Sequence, residues 1–160
     1  MNFALPDFSQ VIPEIFVLSM LCVILIVDVF LTERTRIVSY LLSLLTLLGA
    51  AILTVNNMAD ATVISFNGSF VHDTMGDVLK IFVYMISAVV FLYSRDYLLQ
   101  RDLFKGEYYV LGLFGVLGMM IMISANSFLT MYLGLELLSL SLYTMVAFNR
   151  DSGISSEAAM

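Results

Sequence analysis

Glu136 lies near the middle of MYLGLELLSLSLYTMVAF, residues 131–148, an apolar run long enough to cross a bilayer. An acid at the centre of a membrane helix costs roughly 2.5–3.5 kcal/mol on insertion scales, so such a group normally has a task. At about 100° per residue, Tyr132, Ser139 and Tyr143 fall within about 60° of Glu136, and the opposite face is rich in Leu and Met. Hydroxyls along that stripe can hydrate the carboxylate or pass a proton to and from it. The plainer reading is a helix–helix hydrogen bond.

A second polar face runs through Asp73, Asp77, Lys80, Tyr84 and Ser87, at spacings of four, three, four and three. Asp77 and Lys80 are close enough to pair. Lys80 either forms such a structural pair, snorkels along its stem to the surface, or faces inward in a charge network. Glu14 and Asp28 sit at opposite ends of the first apolar run and read as solvated structural groups. A carboxylate holds its proton more tightly when desolvated and more loosely beside a cation. A proton relay built on Glu136 therefore needs a cation, and Lys80 is the buried candidate in these residues.

The elements that must position these groups are helices. Of the 160 residues, 61% are hydrophobic and 12% charged, which does not belong to a water-soluble core. A span takes about 20 mainly apolar residues, and five segments qualify: about 11–31, 37–56, 74–94, 108–124 and 127–148. Six of the seven Lys and Arg fall in the first, third and fifth connections, and none in the second or fourth. Basic connections mark the cytoplasmic side, so the N-terminus is expected outside and the region of residue 150 inside. Asn67–Gly68, flanked by Val63, Ile64 and Phe66 and by Phe70 and Val71, signals a small extracytoplasmic hairpin with a two-residue turn. Serines followed by an acid in SGISSEAAM suggest a further span from about residue 155, and so a fragment of a longer membrane protein.

Other features carry less. GLFGVLG (Gly112, Gly115, Gly118) has the wrong spacing for a dinucleotide loop and lies within a span, so close helix approach explains it better. Cys22 reads as a buried, inert thiol and His72 as a loop residue. No metal-ligand or Ser–His–Asp pattern is present, which argues against soluble hydrolytic or redox chemistry on this chain.

YLGLELLSLSLYTMVAF followed by NRDSGISSEAAM resembles the fifth span, and the start of the sixth, of the subunit N family of bacterial proton-pumping NADH:quinone oxidoreductase (respiratory complex I). HDTMGDVLKIFVYMISAVVFLYSRDYL is similar to that family's third span. A departure is Ser141, where family members often carry proline. The resemblance implies an all-α polytopic membrane protein, the first part of an antiporter-like fold of about fourteen helices in two inverted repeats. It also implies that Glu136 is the intramembrane glutamate of the first half-channel, paired with a lysine on a broken seventh span. Lys80 then matches a lysine common in the third span. Flavin, iron–sulfur clusters and quinone would sit on partner subunits, with no cofactor on this chain. The expected partners are other membrane-arm subunits, including neighbouring antiporter-like ones, in the bacterial inner membrane. The expected function is proton translocation coupled to quinone reduction elsewhere, with Glu136 as relay and Tyr132, Ser139, Tyr143, Lys80 and Asp77 as accessories. The rivals are a multisubunit cation/proton antiporter component and a non-transporting membrane scaffold.

Overall fold

A computed structural model describes residues 8–31, 37–59, 61–101 and 105–148. The connection at 32–36 and the further span expected from about 155 lie outside them. Among the described residues, five helices are long and apolar enough to cross a membrane. They are α1 (Ile12–Phe30), α2 (Ile37–Asn56), α3 (Thr74–Gln100), α4 (Gly106–Ile123) and α5 (Phe128–Val146). A short 3-10 helix, Phe8–Val11, leads into α1, and Pro13 sits in that helix's first turn, where a missing N–H costs nothing. Asp73 caps α3 by accepting from Gly76 N at 2.9 Å, and Ser127 caps α5 by accepting from Thr130 N at 3.2 Å. The hydropathic span in α3 was expected to end at 94, but the helix continues to Gln100. Leaving the apolar layer does not end a helix: Arg95 lies against the Tyr40 ring, and Leu98 is buried.

The core forms where α4 packs among α1, α2 and α3, through Leu21, Ile24, Leu47, Leu113, Val116 and Met120. Apolar on nearly every side, α4 is the most enclosed helix. The outer faces of α1, α2 and α3 expose Leu25, Leu48, Ile52, Phe82 and Ile86, which suits a surface facing lipid or other apolar helices. Cys22 lies on this outer surface and is not buried as expected.

Packing of α5 is almost entirely against α4. The two backbones meet at Gly118 and Gly134: a Cβ on Gly118 would stand 2.8 Å from both the Gly134 carbonyl oxygen and the Leu138 nitrogen. Backbone cannot yield as a side-chain tip can. Gly118→Leu is therefore expected to cost at least about 1–3 kcal/mol and to lower the amount of assembled protein in membranes, measured on native gels. Normal assembly of that variant would show that this contact does not set the α4–α5 spacing. Ser141 does not interrupt α5; its hydroxyl donates to Leu137 O at 2.6 Å.

The hairpin consists of β1 (Val63–Ser65) and β2 (Phe70–His72), antiparallel, with Ser65 opposite Phe70. That register leaves four residues in the turn, not the two expected. Phe66, Asn67 and Gly68 all take positive φ (53°, 54° and 87°), and the Phe66 ring packs edge-on to Phe8 and Phe70 at 5.9 and 6.1 Å. Phe66, half-buried among these rings, thus belongs to the turn and not to the strand. The hairpin is tied to the α4–α5 turn: Val71 N donates to Ser124 O at 2.9 Å, and Asn126 N to Ser69 O at 3.1 Å.

Candidate functional site

The expected site residues occupy two separate places. Glu136 is half-buried on α5, with Tyr132 in side-chain hydrogen-bonding reach. Tyr132 and Tyr143 are exposed, and the Ser139 hydroxyl donates to Leu135 O of its own helix at 2.8 Å. The buried residues of α5, Gly134 and Ser141, stand roughly 140–160° around the helix from Glu136. The polar stripe therefore faces away from α4 and is left uncovered by the other four helices.

Lys80 and Asp77 are elsewhere, at the hairpin end. Lys80 is buried, and its Nζ lies 2.7 Å from Glu14 Oε1 in the first turn of α1. Of the roles its position allowed, Lys80 takes the inward-facing one in a charge network, with Glu14 and not Asp77 as its partner, and Glu14, expected to be solvated, is buried. The hydropathic pattern of α1 contains no signal for this pair, because the partner is on another helix. An ammonium and a carboxylate held in a dry interior need each other, and α1 and α3 present theirs at the same depth. The Phe70 ring covers Lys80 at 5.5 Å from its centre. The second oxygen of Glu14 is buried without a hydrogen bond among the described residues.

Asp77 instead holds the hairpin. Its Oδ2 lies 3.0 Å from His72 Nε2 and accepts from Ala59 N at 3.1 Å. His72 is buried on β2, not in a loop, and its Nδ1 is 2.5 Å from Gln10 Oε1. Strand alternation explains the placement: Phe70 and His72 point inward on either side of Val71. Below this cluster, Tyr84 Oη is 3.4 Å from the Thr54 hydroxyl on α2. At the other end of the bundle, Asp28 accepts from Ser39 at 2.5 Å. The Asp28 carboxylate also lies against Gly106, the first residue of α4, where a helix N-terminus favours an anion.

Five apolar helices among the described residues, with an ion pair buried between two of them and a further acid on the face of α5 turned from α4, define a multi-pass helical membrane protein. Residues 1–96 match the family model described as NAD(P)H-quinone oxidoreductase subunit 2 N-terminal. Over 160 residues the chain is 64% identical to NADH-quinone oxidoreductase subunit N of Thioalkalivibrio sulfidiphilus, covering all of this chain and 33% of that protein. The same coverage holds for the proteins of that name from Thiobacillus denitrificans and Nitrosomonas europaea, at 53% and 51% identity. The chain belongs to the NAD(P)H-quinone oxidoreductase subunit 2 N-terminal family and spans about a third of the length of these curated relatives.

Proposed function

We propose that the full protein is a membrane-arm subunit of NADH:quinone oxidoreductase that translocates protons, with Glu136 as the titratable relay. Quinone reduction would occur on partner subunits, which carry the flavin and iron–sulfur clusters. The observation that carries this reading is the direction of the α5 stripe. Glu136, Tyr132 and Tyr143 lie on a face the other four helices do not cover, while the family's length leaves two thirds of the protein to pack there. An acid on such a face is satisfied by a cation or a water-lined path supplied from beyond this chain, not by lipid.

Lys80 is no longer available as that cation, because Glu14 engages it. The partner in this reading is the lysine of a later span that the family resemblance implies. Arg95, Arg101 and Lys105 cluster at the end of the bundle opposite the hairpin, which supports a cytoplasmic position for that end and an extracytoplasmic hairpin. The membrane would be the bacterial inner membrane.

The test is purification of the tagged full-length protein from its native membrane. Co-elution with flavin- and iron–sulfur-containing subunits and NADH:quinone activity is the expected result. A particle that exchanges cations for protons and lacks NADH-oxidising partners would overturn it in favour of an antiporter component.

A further inference from the structure

The hairpin end holds a cluster that the Glu136 relay does not use. Glu14, Asp77, Lys80 and His72 are all buried, at 5%, 1%, 1% and 8% exposure. Among the described residues of this cluster, two carboxylates and one ammonium leave one negative charge uncompensated, and a protonated imidazole would neutralise it. The hydrogen bonding agrees. Both ring nitrogens of His72 face oxygen: Gln10 Oε1 at 2.5 Å and Asp77 Oδ2 at 3.0 Å. A neutral imidazole carries one N–H and can donate to only one of them, whereas the charged ring donates to both. After loss of the Nδ1 proton, the Gln10 amide would have to turn to present its NH2 group.

Water can reach this ring. A cleft of about 290 Å³ is lined by Ser9, Gln10, Asn57, Met58, Ala59 and His72 and opens at the hairpin end. On the inner side, Asp77 and Lys80 are one turn apart on α3, and the Tyr84 hydroxyl is in electrostatic reach of both Glu14 and Asp77. Among the described residues, the charged or titratable groups around His72 are therefore Asp73 at the cap of α3, Asp77 and Lys80 within it, Glu14 from α1 and, deeper, Tyr84. Gln10 and Asn57 are its neutral polar neighbours.

We propose that His72 is a proton-binding site filled through this cleft, and that its charge decides which carboxylate holds Lys80. With His72 protonated, Asp77 is neutralised by the ring and Lys80 is free to sit on Glu14, as in the structure. With His72 neutral, Asp77 is left unbalanced beside Lys80 and competes with Glu14 for the ammonium. No bond other than those to the proton is made or broken: a proton enters from water onto Nδ1, and Lys80 changes partner. The site would report the pH of the hairpin side, which is extracytoplasmic in the orientation proposed above.

The experiment is an infrared difference spectrum of the purified complex, stepped between about pH 8 and pH 5, where imidazole titrates. Wild type minus His72→Gln is expected to contain an imidazolium band and a carboxylate component that moves when the aspartates are isotope-labelled. Identical spectra from the two proteins would overturn proton binding at His72. An imidazolium band without the labelled aspartate component would overturn the exchange of Lys80 between carboxylates. Should His72→Gln fail to assemble, Gln10→Met decides. Removing the acceptor opposite Nδ1 leaves the charged ring one hydrogen bond short and should move the half-conversion to lower pH by about one unit, and an unchanged midpoint overturns the proposal. The spectrum reads the complex at rest, so its outcome is independent of whether Glu136 relays protons.

Discussion

Lys80→Met and Glu14→Met are each expected to destabilise the protein by about 3–5 kcal/mol, while the double change loses far less. Each single change leaves a charge buried without its partner. Glu14 without Lys80 would keep both carboxylate oxygens unsatisfied in a site that excludes solvent. Among the described residues, Lys80 without Glu14 would keep the Phe70 ring, while the Asp77 carboxylate one turn away already serves His72 and the Ala59 amide. Two methionines, flexible and apolar, would fill the same space and need no counter-charge. The measurement is denaturant unfolding of the purified full-length protein in detergent, run as a double-mutant cycle. Additive losses in the double variant would sink the pairing, because two groups that do not interact cannot compensate for one another.

Glu136→Gln is expected to lower NADH-driven proton uptake into inverted vesicles by about tenfold or more, with assembly retained. Assembly should survive because the α4-facing side of α5 carries Gly134 and Ser141, and Glu136 is on the other side. Glutamine keeps the volume and most of the hydrogen bonding and removes only the titratable charge. Tyr132→Phe should have a smaller effect, since it deletes one hydroxyl from the stripe and leaves the acid. NADH oxidation is recorded in the same vesicles, which separates lost coupling from lost electron transfer. Unchanged uptake and oxidation in Glu136→Gln would assign the residue to helix–helix bonding, and the relay reading would fall.

Much of this was legible in the residues, for a local reason. A helix of 3.6 residues per turn decides which side chains share a face, so the alignment of Tyr132, Glu136, Ser139 and Tyr143 needs nothing but spacing. The same holds for the face of α3 that carries Asp77, Lys80 and Tyr84, all three of them buried. The apolar runs mark the helices because backbone polar groups in lipid must be satisfied within the segment.

What the residues did not disclose was partnership across elements. Asp77 and Lys80 are close enough in sequence to pair, yet they bond to His72 and to Glu14. His72 was unreadable because β2 has three residues, too few to show an alternation, and its burial depends on the strand docking against the Ser124–Asn126 turn. The direction of the Glu136 stripe was equally hidden.

By itself, then, the sequence determined five apolar helices and the composition of each polar face, since both follow from local periodicity and transfer free energy. Only the tertiary structure decided that α5 turns its acid outward. Close approach to α4 is possible where Gly118 and Gly134 bring two backbones together, and that seam lies on the far side of the helix from Glu136. Only the tertiary structure, too, joined Lys80 to Glu14: a buried charge takes the opposite charge that packing brings to its own depth, wherever along the chain that residue stands.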